Sequence, residues 1–492
     1  MTASDDKDPR RSDGGGAAGA ETSTADGPAG LDPAPHLSRR ERLAAGRAER
    51  EKVPLKALGG WAPAADRADP VDVITAQEQD RLQVLLPIRH GRMLRDAFGF
   101  YRGAAAVMAA DLGAGPRTGL TVQLCGDAHL LNFGAYGSPE RSLVFDVNDF
   151  DETIPGPFEW DVKRLVTSIA VCARNNGLGE KKVYELALAA ARTYRECMAM
   201  FAEMDTLAVW YTQLGVDEVI AGIHDPAVRR DAQRVASKAT SRDSAQAAAK
   251  LTTVAAGRRT IDSQPPLVVP FRELAGWFDA FGAKRIRELV RSNFAAYRRS
   301  LRPDVLALVD RYEMVDMALK VVGVGSVGTR CAIVLMQGRD VDDVLFLQVK
   351  EAVRSVAEPF THKSRYRHQG ERVVVGQRLT QSSSDIFLGW SNGGELGDYY
   401  WRQLRDWKAS VAVETMDAVR LDAYGDLCAW TLAKGHARSG DPVAISSYLG
   451  TKDRFDRALA DFAIAYADQN EADFERLTAA AAAGRIEVAE SF

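Results

Sequence analysis

Several features are scarce in this chain of 492 residues, and each absence removes a class of function. Apolar residues never run uninterrupted for the roughly eighteen positions of a membrane span, and the N-terminus has no apolar stretch of signal-peptide type. Neither spanning nor export is therefore expected. Cysteine is rare: Cys125, Cys172, Cys197, Cys331 and Cys428 lie far apart, with no C-x-x-C pair and no zinc-ligand spacing. They read as buried thiols of a reducing cytoplasm, not as a disulfide framework. The seven histidines are scattered, which argues against a histidine-built metal centre. Excess charge of one sign is also missing. Lys plus Arg number 63 against 67 for Asp plus Glu, a formal charge of −4, so nothing global draws the chain to nucleic acid or to an anionic membrane. An anionic ligand must meet a local site.

What is present is a long chain that is 46% hydrophobic, enough for more than one structural unit. Residues 1–38 are Gly, Ala, Ser, Asp and Pro with almost no large apolar side chains, and are expected to be a disordered tail. The run SRRERLAAGRAEREK is expected to be a solvated helix within a helical lead-in over 39–120. TGLTVQLCGD reads as a buried strand whose hairpin partner is RSLVFDVND, after which helical periodicity dominates, so 121–300 is expected to be a hairpin with large helices. Over 301–408 the texture turns to strands. MVDMALKVVGVGSVGTRCAIVLMQGRDVDDVLFLQVKEA reads as an antiparallel three-strand meander, followed by the helix SRYRHQGERVVVGQRLTQ and the strand-like DIFLGW and DYYWRQLRDW. Residues 409–492 return to helices. The fold class expected is α+β.

The stretch LCGDAHLLNFGAYGSPERSLVFDVNDFDET crowds six acids beside strand-like segments, where they repel one another unless something positive lies between them. Asp127 and Asn132, five apart in a loop after a strand, precede a second acidic strand end, Asp146 to Asp151. Phosphoryl transfer from a nucleotide needs such a set: a carboxylate to take the proton of an attacking hydroxyl, with an amide and a carboxylate oxygen for Mg²⁺. The metal would also relieve the repulsion. His129 reads as a loop-bound histidine, and Asp151 and Glu152 as solvated or helix-capping acids. In GVGSVG, the glycines Gly323, Gly325 and Gly328 around Ser326 link two strands, and the next strand ends in Lys350. Glycines let backbone amides approach phosphates, a neighbouring lysine neutralises phosphate charge, and Glu371 on the following helix is placed to pair with that lysine. Arg89 and Arg102 read as arginines that bridge helices, with contact to an acidic substrate as the alternative.

GDAHLLNFG followed by NDFDET resembles the catalytic loop and metal motif of aminoglycoside-phosphotransferase-like and protein-kinase-like enzymes, and PFEWDVKRL and LAKGHARSGD look like the segments flanking that loop. Over about residues 50–480 the chain resembles a bacterial family of unknown function, number 2252. The kinase resemblance implies a two-lobe fold, ATP and Mg²⁺ as cofactors, Asp127 as the catalytic acid-base group, Asn132 and Asp149 as metal ligands with Asp146 as a structural or second-metal acid, and Gly323, Gly325, Ser326, Gly328, Lys350 and Glu371 at the nucleotide. Asp127 precedes Gly323, the reverse of the usual kinase order, which implies a circular permutation: the helical large lobe first and the sheet-rich small lobe second. The expected function is an ATP- and Mg²⁺-dependent phosphotransferase acting on a hydroxyl-bearing small molecule or protein, with no nucleic-acid or membrane partner. Three rivals stand beside it: a pseudokinase-type module that binds nucleotide or a partner without catalysis, a transferase of a nucleotidyl rather than a phosphoryl group, and a metal-dependent phosphoesterase built on Asp127, His129, Asp146 and Asp149.

Overall fold

The computed structural model describes residues 36–489 except 242–243, 256, 277–282, 322, 395–396, 405–406 and 409–410. Of the expected tail only 36–38 fall within that range. The charged run that follows is a helix, Arg39–Lys52, begun by a capping box in which Ser38 and Glu41 satisfy each other's backbone amides. It is docked as well as solvated, for the Arg50 guanidinium reaches the carbonyls of Ser447 and Tyr448.

The chain is α+β, with a helical core and several sheets. The core is built by the helices Phe158–Asn175, Glu180–Glu203, Ala418–Ser439 and Arg454–Ala482, whose apolar stripes bury Leu165, Ile169, Tyr194, Leu432 and Phe455 together. Against it lie four short strands: β1 (Thr121–Leu124), β2 (Phe133–Gly137), β3 (Leu143–Val147) and β4 (Ile154–Pro157). The expected pairing of the first strand with RSLVFDVND is not formed. β1 pairs antiparallel with β4, and β3 pairs with β2. The β2–β3 hairpin is nested inside the β1–β4 pairing, and together they fold the acidic stretch back on itself.

A small hairpin, β5 (Thr252–Ala255) with β6 (Arg258–Ile261), precedes the main sheet. That sheet has six strands: β7 (Val268–Pro270), β8 (Glu313–Lys320), β9 (Cys331–Gln337), β10 (Val344–Ala352), β11 (Gly389–Asn392) and β12 (Asp398–Gln403), in the order β11-β12-β10-β9-β8-β7. The expected meander is β8, β9 and β10, paired antiparallel throughout. Alternation along β10 sends Leu345, Leu347 and Val349 into one apolar cluster, while Val344 and Phe346 join another on the opposite face. Gln348 and Lys350 share the second face. No helix among the described residues is long and apolar enough to cross a membrane.

Candidate functional site

The loop after β1 is positioned from beneath by the Phe158–Asn175 helix. Asp161, in its first turn, is buried and accepts hydrogen bonds from the amides of Cys125 (2.8 Å) and Gly126 (3.1 Å). Gly126 has φ +83°, and a Cβ there would lie 2.2 Å from the carbonyl oxygen of Glu152, so only glycine lets the two acidic segments touch. One turn along the same helix, Arg164 binds Oδ1 of Asp127 through Nε (2.9 Å) and Nη2 (2.8 Å) while its guanidinium stacks on Tyr101. The other oxygen, Oδ2, has Nε2 of His129 at 3.7 Å. Burial drives the His129 imidazole down to about 3, so it is neutral near pH 7. Asn132 closes the loop by donating Nδ2 to the Asp127 carbonyl (2.8 Å), which leaves its Oδ1 for a ligand.

The second acidic segment follows β3. Asp149 and Asp151 both face Lys350, whose ammonium lies 3.8 Å from the first and 2.5 Å from the second. Asp151 is the hub: besides Lys350 it accepts from the Tyr400 hydroxyl (2.6 Å) and from Oγ of Ser326 (3.2 Å). The β10–β12 register explains the grouping, since Lys350 lies opposite Tyr400 and Gln348 opposite Arg402. Burial works to raise the Asp149 carboxyl, yet Lys350 and Arg402 hold it below its ordinary value. Burial opposes the charge on Lys350 as well, and Asp149 and Asp151 overcome it, so its pKa rises. Glu152, its carboxylate on the amide of Val356 (2.7 Å), is pushed up to about 7 by burial.

The opposing wall is the glycine turn between β8 and β9. Gly323 (φ +64°) and Gly328 (φ +91°) supply the left-handed backbone of the turn. Its carbonyls are gripped by arginines of the lead-in: Arg81 by those of Gly325 and Val327, Arg89 by those of Val324 and Gly325, and Arg92 by that of Gly323.

The acidic loops and the glycine turn line a common space. One cavity of about 100 Å³ is bounded by Asp127, Asn132, Asp149, Gly323, Gly325 and Ser326, and it adjoins a larger one of about 960 Å³ that shares Asn132, Asp149, Gly323 and Ser326 and contains Lys350. Two further placements bear on the expected site. Asp146 lies outside both cavities, buried in an ion pair with Lys434 of the Ala418–Ser439 helix. Glu371 makes no ion pair with Lys350; it occupies the first turn of the helix Gln369–Thr380, with its amide on Nδ1 of His368 (3.3 Å). Its neighbour Arg372 turns inward instead, bonding the carbonyls of Asp151, Thr153 and Val353. Arg164, Lys350 and Lys434 each place a positive charge against one of the crowded acids. Among the described residues, no three His, Cys, Asp or Glu side chains are arranged to hold a metal ion.

Sequence reasoning missed Asp151, Asp161, Arg164, Arg372 and Tyr400. Asp161 and Arg164 lie within PFEWDVKRL, one helical turn apart, a spacing that puts both on the face toward the loop. Tyr400 becomes visible only with the register of β12. No curated protein and no solved structure matches the chain. Residues 81–480 match the family described as "Uncharacterized protein conserved in bacteria (DUF2252)", and the chain belongs to that family.

Proposed function

We propose that the chain is an ATP-dependent, Mg²⁺-dependent phosphotransferase with a hydroxyl-bearing acceptor, on a kinase-like two-lobe framework whose parts are permuted in order. The observation that carries this reading is that Asp127, Asn132 and Asp149 line the same cavity as Gly323, Gly325 and Ser326, although nearly two hundred residues separate the two groups. Arg164 pins one oxygen of Asp127, which fixes the direction of the other toward an incoming hydroxyl. Asp127 would accept that proton as the acceptor oxygen bonds to the terminal phosphorus and the bond to the ADP oxygen breaks. Lys350 would neutralise the nucleotide phosphates under the glycine turn.

The donor chemistry suits Mg²⁺: the amide oxygen of Asn132 and the carboxylate of Asp149 are hard oxygens on one cavity, whereas Asp146 is committed to Lys434. A bound Mg²⁺ would withdraw charge from the phosphate oxygens. The permuted order draws support from the end of the Ala418–Ser439 helix. There His436 meets Asp161 at 3.3 Å, and Asp161 holds the Asp127 loop. The closure of Lys350 onto Asp149 and Asp151 supports a second reading, a nucleotide-binding or interaction module without catalysis. The phosphoesterase set lacks comparable support, because Asp146 does not line the cavity that Asp127 and His129 line and is paired with Lys434.

The test is ADP formation from Mg·ATP across a panel of hydroxyl-bearing metabolites, for wild type and Asp127→Asn. The proposal expects a loss of about 10²–10⁴-fold in the variant with nucleotide affinity nearly unchanged. Equal rates for the two proteins would overturn it.

A further inference from the structure

Among the described residues, the arginines around the cleft are committed to the protein itself, with one exception. Arg89 is fully buried and bonds Glu78, Gln77 and the carbonyl of Gly103. Arg81 and Arg92 hold the glycine turn, Arg164 holds Asp127, and Arg372 holds the Asp151 backbone. Arg102, at the end of the helix Ala97–Gly103, donates no hydrogen bond and makes no ion pair among the described residues, and its Nε is sealed from solvent without an acceptor. It nevertheless lines both cavities, next to Asp127 and Asn132 in the smaller one and to Gly323 and Ser326 in each. Glu414, Asp127 and Asp96 lie within electrostatic range without touching it, and Arg95 opposes them.

A guanidinium taken partly out of water with no partner is uncompensated, and its planar fork matches the geometry of a phosphate. We propose that Arg102 receives a phosphate-type oxyanion on the Asp127 side of the cleft. The smaller cavity, at about 100 Å³, has room for a tetrahedral oxyanion beside Arg102. This inference goes beyond phosphotransfer and does not require it. The oxyanion has two possible sources, the terminal phosphate of a nucleotide or a phosphate carried by the acceptor.

The test is the thermal midpoint of the full chain as a function of inorganic phosphate, with and without a saturating Mg-bound non-hydrolysable ATP analogue, for wild type, Arg102→Gln and Arg102→Lys. The expected result is a saturable rise in wild type that is weakened about 10- to 100-fold in Arg102→Gln and partly kept in Arg102→Lys. Without phosphate, Arg102→Gln should melt no lower than wild type, because no internal partner is lost. A phosphate response that persists on top of the analogue assigns the oxyanion to the acceptor. A response abolished by the analogue assigns it to the nucleotide, whose own binding Arg102→Gln then weakens by a similar factor. An Arg102-dependent phosphate response with no analogue binding upholds the inference and removes the nucleotide reading. Three outcomes overturn it: no phosphate response in wild type, an equal response in Arg102→Gln, or a lower midpoint for that variant without phosphate.

Discussion

At Lys350 three neighbours converge, Asp149, Asp151 and the Tyr400 hydroxyl through Asp151, on an ammonium that is almost fully buried. Removing the cation leaves two acids facing each other. Lys350→Met is therefore expected to lower stability by about 2–3 kcal/mol in urea unfolding, near the low end for a broken buried pair because both acids are partly exposed. Lys350→Met with Asp151→Asn should recover part of that loss, whereas fully additive effects would show the pair to be uncoupled. Two neighbouring groups set opposite pH dependences. His129 titrates at about 3 against a usual 6.5, so between those values the unfolded chain takes up a proton the folded chain refuses, and stability falls as pH falls through that window. Glu152 titrates at about 7 against a usual 4.5, so the folded chain keeps a proton the unfolded chain has lost, and that contribution fades as pH rises through 7. Melting followed from pH 3 to pH 8 should show a flatter acid limb for His129→Gln and a flatter neutral limb for Glu152→Gln; unchanged limbs would contradict the assigned burial.

Among the elements, the Phe158–Asn175 helix carries the support of the acidic loop. Asp161→Ala would strand the amides of Cys125 and Gly126 and leave His436 without its carboxylate. A cost of about 3 kcal/mol is expected, together with faster hydrogen exchange confined first to residues 125–132; a variant as stable as wild type would contradict the role given to Asp161. Elements of this kind were legible in sequence to different depths. The meander β8–β10 was readable because strict alternation and a glycine turn are local signals. The partner of β1 was not, because β4 is IPGP, whose prolines and glycine read as a breaker but are tolerated in a two-stranded edge pairing. β2 is FGAYG, whose glycines hide a strand in the same way. Asp127, Asn132 and Asp149 were legible as polar loop residues that line one cavity, while Glu371 was misplaced by one position: a step of about 100° around its helix hands the inward direction to Arg372.

At the level of the whole molecule, a chain with a formal charge of −4 gathers acids along one wall of a cleft and sets the glycine turn and Lys350 against them. The two walls come from distant parts of the sequence, and Ser326–Asp151 and Lys350–Asp151 are among the contacts that join them. A triphosphate entering between them would draw Lys350 toward its phosphates and bring the Asp127 loop and the glycine turn onto one ligand. Hydrogen–deuterium exchange of the full chain with and without Mg²⁺ and a non-hydrolysable ATP analogue tests this directly. A shared ligand protects 125–132, 149–152 and 323–330 together; protection of only one wall, or of neither, would rule out a common nucleotide site.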